Sequence, residues 1–296
     1  MPFKTNRGLT PKAALSGFSL LGFSGPDAAA FLQAQLMNDL RELGANQWQW
    51  TGWLSAKGRL IALFALLRLD DQEFIAILPD YPAAELQQQL QRFVFRNKLR
   101  IAPVVDLIAA ADLAPEQTIA EGSRNLAVGD KTSGLRLDCS GDDVCRDLLL
   151  LPADCALLGP PDAACDAQWL ESDLAHGLPR LVASQRESWT PQMLSLERLR
   201  AFSLKKGCYP GQEIVARTHY LGQARRGLSR VLGAKLTVGD ALKDEQDGVL
   251  GNVISVAADG GSGLAVVQLD KRGEVAWIGG QRVGLPPFLE GMQRPV

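Results

Sequence analysis

The sequence has little that would tie it to metal, disulfide or nucleotide chemistry. Its five cysteines, Cys139, Cys145, Cys155, Cys165 and Cys208, are odd in number, include no C-x-x-C, and are accompanied by only two histidines, His176 and His219. This is neither a zinc pattern nor a disulfide framework, and it points to a reducing compartment. Gly129-Asp130-Lys131-Thr132 lacks both the glycine before the lysine and the upstream glycine of a P-loop, and no G-x-G-x-x-G opens a helix after a strand. No serine sits in G-x-S-x-G, so a hydrolase triad has no anchor, and His176 reads as structural. No apolar run approaches the ~18 residues that a membrane span needs. Neither sign of charge dominates: 31 basic and 33 acidic residues leave a net charge of -2. No global field therefore draws the chain to nucleic acid or to an anionic membrane, and any such binding has to be local. Lys4, Arg7 and Lys12 precede the apolar AALSGFSLLGF in the outline of a signal peptide, but no A-x-A site follows and the segment runs into a helix start. A cytoplasmic protein with no membrane partner is expected.

What is present is enough apolar residue for a substantial core and for two or three domains in 296 residues. Residues 15 to 23 read as a strand. SGPDAAAFLQAQLMNDLREL follows as a helix, with Ser24 near the cap and Phe31, Leu32, Leu36 and Leu40 on one face. Strands are expected around 47 to 55 and 59 to 69, joined by a turn at Ala56-Lys57-Gly58. EFIAIL then leads into the amphipathic helix AAELQQQLQRFVF, and KLRIAPVVDL reads as one returning strand. The pattern is α+β, with helices on one face of an antiparallel sheet. From 106 to 190 the pattern loosens into a second α+β unit, and beyond 222 short β-rich runs such as RGLSRVLGA, NVISVAAD and LAVVQLD suggest a small barrel. Domains are thus expected at 1–105, 106–221 and 222–296, the first two open to interleaving.

One stretch stands apart. KKGCYPGQEIVAR, residues 205 to 217, sets Cys208 between lysines and two turn-forming glycines, Gly207 and Gly211. Lys206 and Arg217 would place positive charge near the thiol and favour its anion. The other reading is that the cations are solvated and the cysteine packs beneath the loop. The remaining cysteines lie at irregular spacing and read as small apolar residues. A single motif cysteine with no C-x-x-C partner does not supply the thiolates of a cluster, so no resident metal is expected.

K-G-C-Y-x-G-Q-E, here Lys206 to Glu213, resembles the hallmark of the YgfZ family of folate-binding proteins, within the glycine-cleavage T-protein-like superfamily. FLQAQLMNDL at 31 to 40, SAKGRL at 55 to 60, RFVFRNKLRI at 92 to 101, HGLPRL at 176 to 181 and TPQMLSLERL at 190 to 199 extend the resemblance along most of the chain. It implies a three-domain ring, two α+β domains and a C-terminal β-barrel, around a central channel that accepts tetrahydrofolate or a one-carbon derivative. It also implies a role in assembling or repairing iron–sulfur enzymes, including radical enzymes that thiolate tRNA, with Cys208 as the redox or sulfur-handling residue beside Lys206 and Arg217. No direct nucleic-acid contact is expected.

A folate site wants apolar walls, a few amides or carboxylates, and a cation near its mouth. Gln35, Asn38 and Asp39 on the first helix are candidates for the polar groups, and Lys57 or Arg59 for the cation. Each is equally readable as ordinary surface. Tyr209 has two readings, a stacking platform or packing beside a turn. Gln212 and Glu213 are either ligand contacts or groups that fix the motif loop. If Cys208 faces the channel, bound folate shields it from alkylation. Aminomethyltransferase relatives carry a carboxylate in the strand after the turn, whereas GRLIALFALL offers only Ile61, Ala62, Leu63 and Phe64 there. Two rivals stay open: a folate-dependent aminomethyl or one-carbon transferase, against which the missing carboxylate speaks, and a non-catalytic docking module, which would need no folate.

Overall fold

The computed structural model describes residues 10–116, 124–142, 144–222, 224–233, 235–273 and 275–294. After the short β1 (Lys12–Ala13), the first sheet is built from β2 (Phe18–Ser24), β3 (Gln47–Leu54), β4 (Leu60–Arg68), β5 (Glu73–Pro79) and β6 (Arg100–Pro103). Its order is β3-β4-β5-β2-β6, antiparallel throughout. Helices α1 (Ala28–Gln35) and α2 (Ala83–Gln91) cover one face. β4 reads as an unbroken apolar run because both its faces are buried. Phe64 and Leu66 join Phe31, Leu32, Leu86 and Leu90 under the helices. Leu63, Ala65 and Leu67 face the opposite core, with Trp48, Trp50 and Ile77.

That opposite core is shared with a second antiparallel sheet of β7 (Leu107–Asp112), β8 (Val128–Asp130), β9 (Gly134–Asp138) and β10 (Asp147–Pro152), ordered β7-β10-β9-β8. Leu107, Leu135, Leu137, Leu148 and Leu150 supply its side. β11 (Leu158–Gly159) pairs in parallel with β1, tying the start of the chain to the second unit. Helix α3 (Ala163–Ala175) is capped by the Asp162 carboxylate, which accepts from the N–H groups of Ala164 and Cys165. It adds Trp169 and Leu174 to the same core.

Helix α4 (Gln212–Leu221) leads into β12 (Arg226–Leu232), β13 (Ala241–Lys243), β14 (Val249–Val256), β15 (Ser262–Gln268), β16 (Val275–Ile278) and β17 (Gln281–Gly284). These close as a barrel in the order β12-β15-β14-β13-β16-β17. The barrel has its own interior, with Val231, Leu242, Val253 and Val267, and lends Leu228, Ile254, Leu264 and Val266 to the shared core.

Three expectations are corrected. The first helix stops at Gln35, and Leu36 is already extended and bridged to Trp53. The Asn38 side chain instead donates to Trp50 O and Arg200 O, both at 2.8 Å, which holds MNDL out of helical geometry. The second helix likewise ends before Arg92, leaving RFVF in a turn. The returning strand is two strands, because after Pro103 the chain crosses from the first sheet to the second. Among the described residues no helix is long and apolar enough to cross a membrane.

Candidate functional site

The motif is fixed by its lysine. Lys206 is 3% exposed, and its ammonium donates to the carbonyls of Gln33 at 2.6 Å, Leu36 at 2.5 Å and Asn38 at 3.0 Å. All three of its protons are thus used at the C-terminal end of α1, where unsatisfied carbonyls and the helix dipole favour a cation. Burial pushes the Lys206 ammonium down to about 8, still above neutrality. The expected role beside the thiol is therefore corrected: the charge is spent on α1. Tyr209 packs beside Lys206. Its ring is buried in the shared core, 5.1 Å from the Lys206 nitrogen, and burial raises its phenol to about 12. Gln212 donates to the Lys206 carbonyl at 3.1 Å, across the motif loop.

Between these anchors Gly207 and Cys208 stand exposed. The loop lies on the turn of the first sheet, backbone against backbone. Gly211 has φ +77°, and a Cβ there would meet Gly58 Cα at 2.5 Å and Ser55 O at 2.6 Å. Only glycine permits that approach, so SAKGRL and KGCYPGQE form a single docked pair. Arg217 and Glu213 are exposed on α4. Lys57 is exposed at the turn, while Arg59 is fastened to Ser188 O at 2.8 Å instead of being free to meet a ligand. Asn38 is buried and committed to backbone, so it too is withdrawn from ligand contact. The Asp39 carboxylate is held down to about 2 by its hydrogen bonds to Arg41. Gln35 retains a buried Oε1 with no partner among the described residues.

Two hollows are candidates for a ligand site, and the first adjoins the motif through Lys205. An open cleft of about 670 Å³ is lined by Asp39, Gln49, Glu197, Phe202, Lys205 and His219, among others. The other is a closed chamber of about 20 Å³ where the two sheets meet α3. Phe18, Trp50 and Trp169 form its aromatic walls, with Phe18 edge-on to Trp169 at 6.2 Å. Arg146 lies over the Trp169 ring at 4.2 Å and donates to the Asp173 carboxylate at 2.6 Å. Arg180 reaches the other Asp173 oxygen at 2.9 Å and also binds Asp80, joining α3 to the first sheet. No motif in the sequence exposed this chamber, because its members lie far apart along the chain. Among the described residues, no group of three or more His, Cys, Asp or Glu is arranged to hold a metal.

No protein-family model matches the chain. Sequence comparison nevertheless finds "tRNA-modifying protein YgfZ" of Vibrio vulnificus (strain YJ016), 32% identical over 230 residues, covering 74% of this chain and 69% of the relative. The chain belongs to the YgfZ family. The namesake of Klebsiella pneumoniae (strain 342) is 29% identical over 272 residues, 86% of this chain and 80% of its own. Among solved structures, the glycine cleavage system aminomethyltransferase T from Bartonella henselae superposes with a TM-score of 0.69 at 15% identity, covering 96% of this chain and 86% of that one. The YgfZ-family chain therefore has the T-protein-like fold of two α+β units and a barrel. In that fold its motif is a loop that exposes Cys208, and its aromatic chamber lies where the first and second sheets meet α3.

Proposed function

We propose that this YgfZ-family protein is a tetrahydrofolate-binding accessory factor for tRNA modification. It acts in the cytoplasm on the assembly or repair of iron–sulfur enzymes such as those that thiolate tRNA. The aromatic chamber carries the folate part of the reading. Its donor set suits a pterin, with flat aromatic walls on Phe18, Trp50 and Trp169 and a carboxylate and guanidinium edge on Asp173 and Arg146. Its free volume of about 20 Å³ has room for about one water. Binding therefore requires the Phe18–Trp169 contact to part, and the chamber residues bind and orient the ligand and keep water out. When bound, a reduced folate supplies one-carbon chemistry. Cys208 is the sulfur-handling group, held outside the chamber by Lys206 and Gly211, with Arg217 as the nearby cation on α4.

The rival transferase reading is disfavoured by β4, where Ile61, Ala62, Leu63 and Phe64 are buried and place no carboxylate at the one-carbon position. The test is genetic and calorimetric. In a strain lacking the gene, the parent chain is expected to restore thiolated tRNA and iron–sulfur enzyme activity, and Cys208→Ser is not. Anaerobic calorimetry is expected to give saturable heat with tetrahydrofolate. Full complementation by Cys208→Ser would remove the thiol from the function, and no heat up to millimolar ligand would remove the folate.

A further inference from the structure

The segment RFVFRNKLR, residues 92 to 100, does something the fold does not require. It leaves α2 as a turn and presents Phe95, which is 84% exposed, beside Phe93, which is 39% exposed. Large aromatic rings are seldom left so bare without a partner. Arg92, Arg96, Lys98 and Arg100 are all exposed, and their side chains make no ion pair or hydrogen bond among the described residues. No acidic residue occurs in sequence between Glu85 and Asp106. The carboxylate that touches the loop, Asp27, accepts from the Lys98 backbone N–H at 2.6 Å, which fixes the loop without neutralising a side chain. Glu73, in the shallow hollow beside Arg100, is paired with Lys131. The net charge of -2 thus conceals a local cationic and aromatic island.

The placement of the loop is also informative. Its Lys98 backbone sits at the N-terminal end of α1, where Asp27 N–H donates to Lys98 O at 3.3 Å. The other end of α1 is held by Lys206, two residues from Cys208. Eight helical residues separate the two, about 12 Å. Phe93 in turn packs edge-on against Trp53 at 6.0 Å, next to the turn that Gly211 contacts.

We propose that the 92–100 loop is a docking site for single-stranded RNA, with Phe95 stacking on an unpaired base and the surrounding cations on phosphates. Alternating rings and unpaired cations suit an unstacked strand, for which every base offers a face and every nucleotide a charge. A protein partner would call for a contiguous apolar centre with a polar rim, whereas here the rings are interleaved with charge. That the RNA is a tRNA loop rests on the function proposed above; the docking site itself does not.

The test is fluorescence anisotropy of the full-length chain with a labelled RNA stem-loop, the matching duplex, an acidic peptide and anionic vesicles. The stem-loop is expected to bind best, with a log–log salt slope of about -3 for some four neutralised phosphates. Phe95→Ala is expected to weaken it by about 5-fold or more, and Arg96→Ala to reduce the slope by about 0.7. Phe95 is exposed, so the variant's unchanged melting temperature is the folding control. Stem-loop binding indifferent to both substitutions, or absent at low salt, would overturn the site. So would preferential binding of the acidic peptide or the vesicles, which would reassign the loop to another partner. Tetrahydrofolate binding is read separately, so a protein that binds RNA without folate would overturn the cofactor reading and leave this one standing.

Discussion

The closed chamber and the motif loop are built on opposite rules. In the chamber, charge is buried and paired: Arg146 and Asp173 are both 1% exposed, and two guanidiniums, those of Arg146 and Arg180, share one carboxylate. In the loop, the buried lysine and tyrosine lock the backbone while Gly207 and Cys208 between them are left open. On the proposed function, ligand selection and thiol chemistry are thereby assigned to different regions, and each can be broken without the other.

The largest effect is expected in the chamber. Asp173→Ala strands two buried guanidiniums and should cost about 3–5 kcal/mol in a denaturant titration. A loss below about 1 kcal/mol would mean that the pair is hydrated and the chamber open. The loop separates more finely. Lys206→Ala removes the donor from three carbonyls and should cost about 2–4 kcal/mol, whereas Cys208→Ser, two residues away, should change stability by about 0.5 kcal/mol or less. Equal costs would mean that Cys208 is packed and that the contrast is wrong.

A smaller effect is expected at His176, which is buried beside the chamber at the end of α3. Its Nδ1 donates to Ser172 O at 2.7 Å, and burial lowers its pKa below the usual 6.5. The folded state therefore resists protonation while the unfolded chain accepts it near pH 6.5. Stability should be complete above that pH and should decline as pH falls toward the lowered folded value. His176→Gln should flatten this part of the curve. An unchanged slope would assign it to other groups, since His219 is exposed.

Much of the fold was legible in the sequence. Alternation and turns located β2 to β5, and the β-rich end anticipated the barrel. What misled was local continuity: LMNDL carries a helical apolar pattern, yet Asn38 finds better partners in Trp50 O and Arg200 O than a helix offers. KLRIAPVVDL carries a continuous apolar centre from Ile101 to Val105, and periodicity cannot show that its two halves belong to different sheets. The motif read as a loop presenting a cysteine, and Cys208 is exposed there, but charge near in sequence was taken for charge near in space, and Lys206 turns away to α1. The chamber was invisible because Phe18, Trp50, Arg146 and Asp173 converge only through the packing of the two sheets and α3.

The separation of folate from thiol is tested most directly by titrating tetrahydrofolate anaerobically while following tryptophan emission and the iodoacetamide labelling of Cys208 in the same sample. Trp50 and Trp169 line the chamber and Cys208 does not. The expected result is a saturable change in emission, lost in Trp169→Phe, with the Cys208 labelling rate unchanged. Cys139 should stay protected throughout, because burial raises its thiol to about 12. A labelling rate that falls in step with the emission change would place ligand and thiol in one site and contradict the separation. Saturable calorimetric binding with no change in emission would place the folate outside the chamber.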